Sequence, residues 1–225
     1  MTEISAAGTP EGLVESDVLA SPYLQVRAWV DDATRWAKAR DDLPEPLAMS
    51  VATVDTEGAP NLRTVLMRFL DERGPGFVTN LDSTKSRELR ADPRVAASLT
   101  WPSVFRAIRF RGRAEPIERE VVRAYFASRP YGSRVSAWAS EQSRPVADRA
   151  ALEEAWARVL ARFPETGEPD EVPLPDFWGG WRIVPDEVEL WAGRSNRLHD
   201  RIVFTRVGDG DLSDPASWTR SRRQP

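Results

Sequence analysis

The chain of 225 residues has no cysteine and one histidine, His199. Without cysteine there can be no disulfide, no thiolate nucleophile and no thiolate-bound metal. With one imidazole the ligands of an ordinary zinc centre are lacking too, so no metal is expected. No apolar run is long enough to span a bilayer. The opening MTEISAAGTPEGLVESD is acidic, where a secretory signal starts basic and turns apolar. Charge of one sign is also missing: 31 Lys+Arg against 35 Asp+Glu leave a net charge of −4. No overall field then draws the chain to nucleic acid or to an anionic membrane. The expectation is a cytoplasmic protein that binds neither, with any basic site confined to a local cluster. The familiar phosphate loops are absent as well. There is no GxGxxG after a first strand and no GxxxxGK[ST], so phosphate recognition falls to side chains and irregular loops.

What the chain does have is apolar mass, with 41% hydrophobic residues and nine tryptophans. That is too apolar for disorder and enough for one large core. A loose arm over residues 1–20 and a single domain over 21–225 are expected. After Pro22, Val26, Trp29, Ala33 and Trp36 recur at helical spacing. Residues 48–70 read as two strands around a Glu57-Gly58 turn. Gly74-Pro75-Gly76 reads as a second turn, followed by the strand GFVTNL and a short helix in STKSRELRADP. VAASLTW and FRAIRFRGRAEPI form the next strands, joined through Pro102-Ser103. Helices follow at EREVVRAYFAS and ADRAALEEAWARVLARF. The intervening SRPYGSRVSAWASEQSRPV is too polar and proline-punctuated for a regular element. Strands return as WGGWRIV, EVELWAG and LHDRIVFTRV. Hairpins dominate and strand-helix-strand repeats do not, so the fold class is α+β: a barrel-like antiparallel sheet with helices to the side.

Three features carry possible chemistry. Near the end stands Arg197-Leu198-His199-Asp200-Arg201. In a regular strand Arg197, His199 and Arg201 project together, with Leu198 and Asp200 opposite. Such a cluster suits an anion, or else a solvated strand edge that discourages aggregation. Alternation also parts His199 from Asp200, which argues against a hydrolase triad. Second, Arg63 lies inside an apolar strand. It faces away from Arg68 unless a bulge, a strand end or a subunit boundary brings the two to one pocket. Thr79, Lys85, Arg129 and Ser133 are further candidate anion donors. Third, Arg109, Arg111 and Arg113 alternate with Ile108, Phe110 and Gly112, as one solvated and one buried face would.

RTVLMR at 63–68, VTNLDSTK at 78–85, YFASRPYGS at 125–133 and WASEQSRP at 138–145 come in this order. PLPDFWGGWRI, ELWAGRSNRLHDR and the closing RRQP follow. Together they resemble the pyridoxamine 5'-phosphate oxidase family, over nearly the whole chain. The resemblance implies an FMN-binding split-barrel homodimer with two flavin sites at the subunit interface. It implies flavin contacts at Arg63, Thr64, Val65, Val78, Thr79, Lys85, Gln142, Ser143, Trp191 and Arg201. Substrate contacts are implied at Tyr125, Arg129 and Ser133 for the phosphate, and at Arg197 and His199 over the pyridine ring, the two that count as catalytic. Arg68, also on the substrate side, stands where the family usually has lysine. The implied reaction converts pyridoxamine or pyridoxine 5'-phosphate to the aldehyde with O2, releasing hydrogen peroxide. Thr84 replaces a common arginine and Ala107 a common glutamine, and the N-terminal arm lacks the Arg and Tyr that often cover the site. These departures imply weaker flavin retention. A related flavin oxidase acting on phenazine-type substrates, and a non-catalytic binder of flavin or a B6 vitamer, remain the alternatives.

Overall fold

Ser21 caps the first helix, α1 (Pro22–Ala37), by accepting from the Leu24 N–H at 3.3 Å, and Pro22 suits the first helical turn. Val26, Trp29 and Ala33 are buried as their spacing predicts. The computed structural model describes residues 12–168 and 171–225. The elements after α1 are β1 (Ala48–Val54), β2 (Pro60–Leu66), β3 (Phe69–Asp71), β4 (Gly74–Asn80), α2 (Thr84–Ala91), β5 (Arg94–Trp101) and β6 (Arg106–Pro116). Then come α3 (Arg119–Ala127), α4 (Tyr131–Ala139), α5 (Arg149–Arg162), β7 (Trp178–Ala192), β8 (Asp200–Arg206) and β9 (Trp218–Arg222). Among the described residues no helix is long and apolar enough to cross a membrane.

The strands form one antiparallel sheet in the order β2-β1-β5-β6-β7-β4-β3, with β8 and then β9 added at β7. Two neighbours share one edge of β7: β4 pairs with residues 178–182 and β8 with 187–192. The sheet therefore splits along its longest strand. It curls back on itself where β2 ends, because the Arg68 N–H donates to the Gly76 carbonyl of β4 at 2.8 Å. Alternation gives the core: Met49, Val51, Leu99, Ile108, Phe110, Leu190 and Ile202 are fully buried and α1 covers them. A smaller cluster of Ile117, Val122, Phe126, Val135 and Trp178 seats α3 and α4.

Several expectations need correction. WGGWRIV and EVELWAG are one strand, β7, because a bulge absorbs Pro185: Arg111 faces Glu187 while Gly112 faces Pro185. Gly74-Pro75-Gly76 opens β4 rather than making a turn, and the reversal sits at Glu72-Arg73. The supposedly irregular stretch contains α4. Pro130 stands just before its first turn, where a missing N–H costs nothing, and Val135 anchors it. The structure also adds β9, which pairs with β8. Of the arm expected over 1–20, residues 1–11 lie outside the described residues. From Leu13 the chain is fastened: Leu13 and Val18 are buried, and the Leu13 N–H donates to Asp200 at 2.8 Å.

Candidate active site

Where β2 ends and the sheet closes on β4, a cavity of about 860 Å³ opens between the strands and α2, α3 and α4. Every residue assigned above to flavin or substrate lines it, except Trp191, Arg197, His199 and Arg201. Arg63 and Arg68 meet there by the strand-end route, since β2 stops at Leu66 and Arg68 lies in the link to β3.

One wall of the cavity is a cation in a neutral cradle. Lys85, in the first turn of α2, is buried. Its Nζ donates to Thr79 Oγ1 at 3.0 Å, Ser83 Oγ at 3.2 Å and Gln142 Oε1 at 3.0 Å. Burial, and then the nearby Arg63 charge, push its pKa down from 10.5 to about 8, against a smaller opposing pull from Glu88. Gln142 also accepts from Thr79 Oγ1 at 2.8 Å. The next residue, Ser143, sits at φ 74° and so completes a tight turn that aims Gln142 inward. Arg63 is held differently. Its Nη2 donates to the buried Glu88 at 2.9 Å, its Nη1 to the Val51 carbonyl at 3.2 Å, and Thr53 Oγ1 is a third partner. Burial opposes the Glu88 charge, but donors from Asn61, Thr53 and Arg63 outweigh it and keep the carboxyl below its ordinary value.

The facing wall is cationic and unpaired. The Arg129 guanidinium lies over the Trp178 ring at 4.8 Å, and its buried Nη1 has no hydrogen-bond partner. Burial, and to a lesser degree the Arg68 charge, lower its pKa. Tyr125 stacks parallel to Trp178 with centroids 6.3 Å apart, which fixes its ring at the cavity edge beside Ser133. Among the described residues no carboxylate lies within 4.0 Å of Lys85, Arg68 or Arg129. A buried guanidinium N–H without a partner costs free energy until an acceptor arrives, so this donor set fits phosphate groups.

The basic cluster near the end is not the uniform face expected of a strand. β8 starts only at Asp200, so Arg197 and His199 belong to the preceding loop. Leu198 is exposed and Asp200 is buried, so the two do not share a face. Arg201 is the cluster residue in regular strand geometry, and it pairs with the buried Glu189 at 2.8 Å. His199 packs on Trp191 with centroids 4.8 Å apart. Trp191 lies on β7 at roughly 35 Å of extended chain from Gly180, the partner of Val78 in the cavity wall. Three contributors escaped the sequence reading: Glu88, Trp178 and Glu189. Glu88 carries a usable signal, since it follows Lys85 by one helical turn and so shares its face. Glu189 acts across a strand pair that only the register reveals, and Trp178 meets Tyr125 and Arg129 through the packing of β7 against α3 and the turn after it.

A curled antiparallel sheet split along one strand, with a cation-lined cavity at its seam, defines an α+β split-barrel protein. Residues 36–163 match the family model described as pyridoxamine 5'-phosphate oxidase, and 178–225 match the pyridoxine 5'-phosphate oxidase C-terminal dimerisation region. The chain belongs to the pyridoxamine 5'-phosphate oxidase family. It is 46% identical to a pyridoxine/pyridoxamine 5'-phosphate oxidase of Kineococcus radiotolerans, over 94% of this chain and 92% of the relative. To that of Herminiimonas arsenicoxydans it is 44% identical, over 95% and 93%. Among solved structures, PhzG from Burkholderia lata 383 in complex with tetrahydrophenazine-1-carboxylic acid superposes with a TM-score of 0.82 at 29% identity, covering 97% of this chain and 100% of that one. A pyridoxamine 5'-phosphate oxidase-related, FMN binding protein of Nostoc punctiforme shares the fold, with a TM-score of 0.67 at 17% identity over 88% and 97%.

Proposed function

We propose that the chain is an FMN-dependent oxidase that converts pyridoxamine 5'-phosphate, pyridoxine 5'-phosphate or both to pyridoxal 5'-phosphate. Dioxygen is consumed, and hydrogen peroxide, with ammonia from the amine, is released. The observation that carries this reading is the pairing of two carboxylate-free cationic positions in one cavity: Lys85 in its neutral cradle, and Arg129 with an unpartnered buried N–H. A phosphorylated cofactor and a phosphorylated substrate together need two such positions.

Lys85, Arg63 and Thr79 would hold the FMN phosphate, with Gln142 and Ser143 closing over the cofactor. When bound, FMN supplies the redox chemistry, taking two electrons from the substrate and returning them to dioxygen. Arg129, Arg68 and the Tyr125 and Ser133 hydroxyls would hold the substrate phosphate. Arg197 and His199 would orient the pyridine ring. They do not line this chain's cavity, so we assign them to the cavity of a second copy in a homodimer, consistent with the match to a dimerisation region. Trp191 and Arg201 would approach the flavin from the same side.

The likeness to PhzG supports a second reading, an oxidase for a phenazine-type ring. Tyr125, Arg129 and Ser133 weigh against it, because a carboxylated tricycle has no phosphate for them. The test is an aerobic assay with FMN and pyridoxamine 5'-phosphate that follows aldehyde and peroxide. Both should appear in equal amounts. No turnover at full flavin occupancy would overturn the proposal, leaving a phenazine-type oxidase or a flavin carrier.

A further inference from the structure

The loop between β7 and β8 carries Arg197 and His199, and it is built under strain. Asn196 and Arg197 follow one another at φ 59° and 64°, in the left-handed region. Asparagine tolerates that region, but the arginine side chain is strained there, because its Cβ crowds the following carbonyl oxygen. Such a turn persists only where its flanks are pinned. Asp200, first residue of β8, is the pin. Its side chain is 8% exposed, and its Oδ2 accepts from Arg194 Nε at 2.5 Å and from the Leu13 N–H at 2.8 Å. Its Oδ1 accepts from Arg222 Nη1 at 2.5 Å, and Arg222 reaches on to Glu15 at 2.7 Å and to the Leu13 carbonyl at 2.9 Å. One carboxylate thus ties together both ends of the loop, the last strand and the segment starting at Leu13. Burial disfavours its charge, yet donors from Arg194, Leu13 and Arg222 outweigh this and hold the carboxyl below its ordinary value.

With its side chain anchored, Arg194 has its backbone N–H fixed, and that group donates to His199 Nδ1 at 3.0 Å. A backbone N–H can only donate. Nδ1 is therefore the acceptor, and the neutral ring carries its proton on Nε2. Trp191 sets the tilt of the imidazole, with 48° between the two planes.

The geometry points to Asp200 as a positioning residue: by anchoring Arg194 it keeps His199 in the Nε2–H tautomer, so that the imidazole offers the substrate a donor rather than an acceptor. This rests on the reading of His199 as a substrate contact, which the same experiment separates from the clamp. His199 is the only histidine, so imidazole-nitrogen NMR of the labelled, FMN-loaded enzyme reports one ring. It is recorded well above the ordinary imidazole titration range. The wild type should show a single Nε2–H tautomer. Asp200→Asn should show a mixture, with kcat lowered about 10- to 100-fold and FMN affinity changed less than about twofold. If that variant does not fold, Arg194→Gln, which keeps the buried carboxylate and its other donors, is read in the same way. An Nδ1–H or mixed wild-type ring, or a variant whose ring signal is unchanged, would overturn the clamp. A His199→Ala enzyme with full turnover would overturn the substrate contact, and with it the clamp's catalytic purpose, while the tautomer result stood.

Discussion

At the residue scale the distinction that matters is between cations that have an internal anion and cations that do not. Arg63 has Glu88 and Arg201 has Glu189, whereas Arg129 has only aromatic faces and Lys85 only neutral oxygens. Arg129→Ala should therefore raise the KM for the phosphorylated substrate about 10- to 100-fold, the loss of a charged hydrogen bond, with kcat changed little. Steady-state kinetics at saturating FMN checks this. Lys85 gives a pH dependence. Free, it titrates near 8, and a bound phosphate restores its charge, so binding above that pH must take up a proton. FMN affinity should fall as pH rises through 8, and fluorescence titration between about pH 7 and 10 reads it. The stability sign is the opposite. The folded pKa lies below the ordinary 10.5, so the unfolded chain holds more protons between 8 and 10.5. Through this group, the flavin-free protein gains stability as pH rises across that window. Thr84 lines the same wall, and its Oγ1 accepts from Arg87 at 3.0 Å. It brings no positive charge of its own, and dialysis should strip flavin more readily than from Thr84→Arg.

At the scale of elements, much was legible in the sequence because period and burial coincide. The alternation of Ile108 and Phe110 with Arg109 and Arg111 marks β6, and Val26, Trp29 and Ala33 mark α1. Legibility failed where tertiary contacts override local composition. α4 is polar and follows a proline, yet Val135 and the Trp138 indole N–H, which donates to the Pro173 carbonyl at 2.7 Å, hold it. The RLHDR cluster failed for a related reason: period-two reasoning assumes a strand, and the strained turn at Asn196-Arg197 supplies none. Pro185 is the clearest case. It splits β7 in the sequence, while the bulge opposite Gly112 absorbs it. A Cβ on Gly112 would lie 2.1 Å from the Val184 carbonyl oxygen, on backbone that cannot yield cheaply. Gly112→Ala should destabilise the fold by roughly 1–3 kcal/mol, read as a lowered denaturant midpoint at unchanged slope.

At the scale of the whole molecule, the proposed function draws on two parts of each chain that the chain's own fold keeps apart. One is the cavity of Lys85, Arg129 and Tyr125 at the seam of the sheet, and the other is the loop of Arg197 and His199 at the far end of β7. The motifs for both were readable, but their separation within one chain was not, because it depends on the length and register of β7. The central claim is that catalysis joins the cavity of one copy to the loop of the other. Co-expressing differently tagged Arg129→Ala and His199→Ala chains, and isolating the mixed dimer, tests it most directly. One of its two sites then combines an intact cavity with an intact loop. With substrate held well below the wild-type KM, so that the raised KM of Arg129→Ala shows as lost rate, pyridoxal 5'-phosphate formation per dimer should recover to about half the wild-type rate, far above either variant alone. A mixed dimer no more active than the mean of the two variants would contradict the account.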